Sequence, residues 1–237
     1  MTGVRLLLFD VDGTLLRCGP QVGGILSGSL TDVFGVTCEL DGFDFSGKTD
    51  QQIAYELLGA AGVPEDRVRG EIDRLRSVYL ERLEETLDRG RMEVLPGIEE
   101  LLAELSGEAD GAGCPDGDGA ALGLLTGNWR WAARIKLARF GLDRHFPFGA
   151  FGEDGMERRE LPPVALERAH RATGRRFAPD ETLIVGDSVR DVECARAHGL
   201  PVLAVATGWT SAERLARAGA DRVVDSLAGR SSELLGA

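Results

Sequence analysis

Apolar and polar positions along the chain fall into two regimes. Val4 to Phe9 (VRLLLF) is a short apolar run that stops at Asp10-Val-Asp-Gly-Thr14. Such a run reads as a strand buried on both faces that leads into a loop. Ala121 to Leu125, Thr182 to Val185, Pro201 to Ala206 and the weaker Arg222 to Val224 repeat this pattern in the second half. Helical spacing separates them over Ile98 to Leu105, Trp131 to Phe140, Pro163 to Thr173 and Val189 to His198. Strand and helix in alternation predict an α/β fold with a doubly wound parallel sheet.

Between Leu16 and about Met92 the pattern changes. Tyr55 to Ala61 and Val68 to Leu87 show amphipathic helical spacing with no strands between them, which predicts a helical insertion. Leu95-Pro96-Gly97 marks the return to the core. The expected organisation is a core of residues 1–15 plus 92–237 and a helical cap of residues 16–91. Ser106 to Gly119, rich in Gly and Asp, predicts a mobile surface loop, and it lacks the ligand spacing of an EF-hand.

Composition narrows the function classes. With 237 residues, 43% of them hydrophobic and 28% charged, the chain can bury a full core without staples. A net charge of −12 argues against an extended nucleic-acid surface. Cys18, Cys38, Cys114 and Cys194 show neither C-x-x-C nor metal-ligand spacing, as free thiols in a reducing compartment would. The opening apolar run is broken by Asp10 and Asp12 before a signal peptide or membrane span could be completed, so a cytoplasmic protein with no membrane partner is expected.

Ligands of open parallel sheets bind outside the carboxyl ends of the strands. The residues that follow these runs, Asp10, Asp12, Thr126, Asp187 and Asp191, are therefore expected to converge. So many carboxylates repel one another unless a cation lies among them, and hard oxygen ligands suit magnesium. Beside such a metal one carboxylate can act as nucleophile while a second transfers a proton, and Asp10 and Asp12 supply that pair. Gly13 permits a sharp turn that frees backbone amides for an anion, and Thr14 reads as a structural cap. Thr126-Gly127-Asn128 follows a strand and opens a helix, which suits a phosphate clamp or a plain helix cap. Asp187 and Asp191 have the same plain reading as caps, and it is their order after successive strands that favours a site.

These residues resemble the four motifs of the haloacid dehalogenase superfamily of phosphohydrolases, here Asp10-Val-Asp-Gly-Thr14, Thr126, an arginine segment near Arg158, and Gly186-Asp187-Ser-Val-Arg-Asp191. The resemblance spans essentially the whole chain. The insertion after the first motif resembles the small helical cap of phosphoglycolate phosphatase-like members, and Gly47-Lys-Thr-Asp50 their cap specificity loop. The resemblance implies a Rossmann-like core with an inserted α-helical cap. It also implies a magnesium-dependent phosphatase acting on a small phosphorylated metabolite through an aspartyl-phosphate, as a monomer or homodimer.

Carried over by residue, it makes Asp10 the nucleophile and Asp12 the acid and then the base. Asp10, Asp187 and the Asp12 carbonyl would hold the metal, with Asp191 ligating through water or orienting the others. Thr126, Gly127, Asn128 and Arg158 would bind phosphate, and Lys48 and Thr49 would contact substrate from the cap. The usual third-motif lysine is missing: Arg158 is the candidate in its place, with Arg159 close behind, while Lys136 is expected to face solvent. Rival readings are a phosphosugar mutase, a phosphonoacetaldehyde-type hydrolase using Lys48, and a non-catalytic binder on the same fold.

Overall fold

The computed structural model describes residues 3–106 and 120–236. The expected loop at Ser106 to Gly119 therefore lies outside the described residues apart from Ser106, as does Cys114.

β1 (Leu6–Phe9) is the anchor of the sheet. All four of its side chains are fully buried, at roughly 2 kcal/mol each. After the short β2 (Leu16–Arg17) the chain forms α1 (Gln21–Phe34), α2 (Asp50–Ala60) and α3 (Glu65–Thr86), and returns through β3 (Glu93–Val94). β2 and β3 pair antiparallel, Leu16 opposite Val94, so the two connections of the helical insertion run side by side. There follow α4 (Ile98–Leu105), β4 (Ala121–Leu125), α5 (Arg130–Ala138), β5 (Phe148–Ala150), α6 (Leu161–Thr173) and β6 (Thr182–Gly186). The chain closes with α7 (Val189–Ala197), β7 (Val202–Val205), α8 (Ala212–Ala218), β8 (Arg222–Val224) and α9 (Ser231–Leu235).

Six strands form one parallel sheet in the order β5-β4-β1-β6-β7-β8. Alternate side chains serve opposite faces, which is why the strands read as continuous apolar runs. Leu7, Phe9, Leu122, Leu124, Val185 and Leu203 pack with α4, α5 and the insertion. Leu6, Leu8, Leu125, Ile184 and Val202 pack with α6, α7 and α8. The expected doubly wound sheet with an inserted helical unit is the fold observed.

Several elements differ from the sequence expectation. α1 was not anticipated, and α2 starts at Asp50 rather than Tyr55 because the Thr49 side chain accepts from Gln52 N and caps it. β5 is a three-residue edge strand, too short to announce itself by pattern.

Candidate active site

The connections from β1 and β6 leave in opposite directions, so a crevice opens where these neighbouring strands end. Asp10 follows β1 directly, and its backbone N donates to Val185 O at 2.9 Å, extending the ladder with β6. Asp187 follows β6 in the same way. Space around Asp187 is reserved by glycines. A Cβ on Gly13, whose φ is +84°, would lie 2.5 Å from Asp187 Oδ2, and one on Gly208 only 1.6 Å away. Thr14, expected to be a structural cap, instead donates from its buried hydroxyl to Asp187 Oδ1 at 3.3 Å.

Asp10, Asp187 and Asp191 bring carboxylate oxygens within 4.8 Å of one another, all buried. Arg158 Nη2 enters this group, 3.0 Å from Asp10 Oδ1 and 2.6 Å from Asp191 Oδ1. It also donates to Leu125 O at 2.7 Å. Arg159, the second candidate, is exposed and pairs with Glu157, so it is Arg158 that reaches the carboxylates. Asp191 has a second task, since its Oδ2 accepts from Ser188 N and Oγ in a capping box that starts α7. Burial pushes the Asp10 carboxyl up to about 6 against the pull of Arg158, with the Asp191 charge adding to the rise. Burial, then the Asp10 and Asp191 charges, raise Asp187 well above its ordinary value.

Asp12 meets the opposite surroundings. Its Oδ2 accepts from Lys136 Nζ at 2.6 Å and from Asn128 Nδ2 at 2.7 Å. Lys136, expected to face solvent, is a correction: its side chain is 3% exposed, on the face of α5 that also buries Ala132, Ala133 and Leu137. Burial would raise the Asp12 carboxyl, but the Lys136 ammonium and these hydrogen bonds hold it below its ordinary value. Asn128 also accepts from Lys136 through Oδ1 and donates to Thr126 Oγ1 at 2.9 Å. The Asp12 side chain therefore lies outside the carboxylate cluster, which leaves its backbone carbonyl as the group that could join a metal.

The loop that opens α2 is docked on these elements. Asp50 N donates to Gly127 O at 2.7 Å, and Asp50 Oδ2 accepts from Trp129 N at 2.8 Å. A Cβ on Gly127 would lie 2.0 Å from Lys48 O, so only glycine admits the loop this closely. Thr49 is buried, and besides capping α2 it donates to Met156 O at 2.7 Å. Lys48 pairs with Glu56 at 2.5 Å, with its ammonium 4.2 Å from the centre of the Phe43 ring. Arg190 holds the loop from the core side through Asp44 Oδ2 and Ser46 O. Lys136 and Arg190 were not expected in the site, and Asp50 only as the end of the Gly47–Asp50 loop motif; Lys136 left a sequence signal, a charge at an apolar-face position of a helix.

The residues present fit a divalent cation. Three buried carboxylates face one guanidinium. Asp10 Oδ1 and Asp191 Oδ1 are buried without a well-aligned hydrogen bond among the described residues. Buried anionic oxygens in that state call for a cation with hard-ligand preference.

A parallel sheet with carboxylates at its switch point and a helical insertion docked beside them is an arrangement suited to metal-assisted phosphoryl transfer. A HAD-hydrolase-like family model matches residues 158–229. A phosphoglycolate phosphatase of Mesorhizobium japonicum is 28% identical over 86% of this chain and 84% of its own length. A plasmid-borne phosphoglycolate phosphatase of Cupriavidus necator is 28% identical over 93% and 89%. Among solved structures, a predicted phosphatase from Clostridium acetobutylicum superposes with a TM-score of 0.70 at 20% identity, covering 99% of each chain. The chain is thus similar, over most of its length, to haloacid dehalogenase-like phosphatases.

Proposed function

We propose that this hydrolase is a magnesium-dependent phosphatase that acts on a small phosphate monoester, with Asp10 as nucleophile and Asp12 as acid and then base. The observation that carries the reading is the divergence of two carboxylates two residues apart. Asp10 is turned into the carboxylate and Arg158 cluster, and Asp12 onto Lys136 and Asn128. Without ligands Asp10 is raised and Asp12 lowered; a bound cation would return Asp10 to the ionised form that attacks, and the negative charge of a phosphate monoester would raise Asp12 toward the protonated form that donates.

In the first displacement an Asp10 carboxylate oxygen bonds to phosphorus while the ester P–O bond breaks, and Asp12 gives its proton to the departing oxygen. In the second, Asp12 takes a proton from a water that attacks the same phosphorus, which frees phosphate and restores Asp10. Arg158 offsets negative charge on Asp10 and on the phosphoryl oxygens. Asp10, Asp187 and the Asp12 carbonyl would hold Mg2+, with Asp191 beside them, and the ion would neutralise the phosphoryl group. Thr126, Gly127 and Asn128, at the turn into α5, would line the phosphate side.

The docked loop of residues 44–50 would exclude water and select the rest of the substrate, with Lys48 as its candidate contact, whereas the buried Thr49 hydroxyl is taken up by Met156 O and Gln52 N. The names of the sequence relatives favour phosphoglycolate, or an acid of similar size. No helix among the described residues is long and apolar enough to cross a membrane. A cytoplasmic monomer or homodimer working on a dissolved metabolite is consistent with that.

The test is phosphate release from a panel of phosphorylated metabolites, with and without Mg2+, by the wild type and Asp10→Asn. Metal-dependent release that disappears in the variant is expected. Equal release by both proteins would remove Asp10 from the chemistry.

A further inference from the structure

Asp12 is held by Lys136, Asn128 and the buried Cys18 thiol. Lys136 Nζ and Asn128 Nδ2 both donate to the same oxygen, Oδ2. The side chain nevertheless remains 41% exposed, so part of the carboxylate faces the open side of the site. Lys136 also fixes the neighbouring amide. Its ammonium can only donate, so the Asn128 atom facing it is Oδ1, and Nδ2 must then face Asp12. Without the ammonium, the amide could turn over and present an oxygen to the carboxylate. Thr126 Oγ1, a second acceptor from Nδ2, completes the chain.

Placing an ammonium on the apolar face of α5 is costly unless it is paired and hydrogen-bonded. Stability alone would be served as well by an apolar side chain of similar volume. We propose that Lys136 is a positioning residue for proton transfer, which, by saturating Asp12 Oδ2 and fixing the Asn128 amide, presents the open side of the Asp12 carboxylate to the leaving oxygen. Lys136 does not touch the reacting atoms. The assignment rests on the phosphatase reading above.

The consequence is a dependence on the leaving group. An alkyl phosphate needs a proton delivered to its departing oxygen, whereas p-nitrophenolate departs without one. The value of kcat/KM reports the first displacement, so Lys136→Met should lower it about 100-fold for an alkyl phosphate and less than about 3-fold for p-nitrophenyl phosphate. KM should stay within about 2-fold for each, because substrate binding is not what is lost. In an Asp12→Asn background Lys136→Met should add no further loss, and that pair carries the test if the single variant folds poorly, since it leaves no carboxylate unpaired. Equal losses for the two esters in folded protein, or a further loss in the Asp12→Asn background, would overturn the assignment while leaving the phosphatase intact. A wild type silent on every ester would overturn the phosphatase reading and this one with it.

Discussion

Asp10 and Asp12 stand two residues apart at the end of one strand, yet they occupy different electrostatic regions. Around Asp10 lie Asp187, Asp191 and, among the described residues, a single cation, Arg158, and burial raises its carboxyl to about 6. Around Asp12 lie Lys136 and Asn128, and its carboxyl is held below the ordinary range. The region of Asp10 is short of positive charge and suits a cation and a phosphoryl group. The region of Asp12 is balanced by the protein itself. A D-x-D pair is thus divided in function by what α5 and the segment at Arg158 bring to it, more than by anything in the two aspartates.

The largest effect is expected where the Asp10 region loses the Arg158 guanidinium. Arg158→Met leaves Asp10 and Asp191 uncompensated. It should lower metal-free stability by about 3–5 kcal/mol in urea unfolding and cut kcat/KM by about 1000-fold. Arg158→Lys should restore most of the stability, since it keeps the charge and loses only the fork geometry.

Next in size is the response to metal. Saturating Mg2+ should raise Tm by about 5–10 °C at pH 8 in thermal unfolding. The gain should shrink at pH 5, below the raised value of about 6 for Asp10, because protons then compete for the same oxygens. Without metal the sign is also fixed. A carboxyl raised in the folded state contributes stability while protonated, so Asp10 should make the metal-free protein progressively less stable as pH rises from about 4 through 6, and Asp187, also raised, acts in the same direction.

A smaller effect should come from Asp50, which burial raises to about 6 beside Trp129 N. Asp50→Asn keeps the shape and an acceptor but removes the charge. It should therefore be more stable than the wild type by about 1–2 kcal/mol at pH 8 and equal to it near pH 4. The smallest effect is expected at Arg190, whose contacts with Asp44 and Ser46 are partly exposed. Arg190→Ala should cost less than about 1 kcal/mol while raising KM about 3- to 10-fold, as loop docking loosens.

How much of this was legible follows from how each part is encoded. β1, β4, β6 and β7 declare themselves because parallel strands buried on both faces are apolar throughout, and the aspartates after β1 and β6 are placed by that register alone. β5 was hidden because Phe148-Gly149-Ala150 follows a proline and is only three residues long. α1 was hidden by Gly23, Gly24 and Gly28, which weaken helix propensity; packing against α3 supplies what propensity does not. Lys136 was misread because lysine is so rarely buried, although Trp129, Ala132, Ala133, Lys136 and Leu137 share one helical face, and a charge in that stripe needs a partner. Its partner Asp12 lies 124 residues earlier in the chain, and no spacing rule could join them.

The division of labour between the two aspartates is tested most directly by rapid mixing of Asp12→Asn with p-nitrophenyl phosphate in the presence of Mg2+. The first displacement needs no acid with this leaving group, and the second has lost its base. A burst of about one equivalent of p-nitrophenolate should therefore be followed by near-arrest, with an acid-quenched phosphoryl adduct on the peptide that contains Asp10. Steady turnover without a burst, or an adduct on any other residue, would contradict the account.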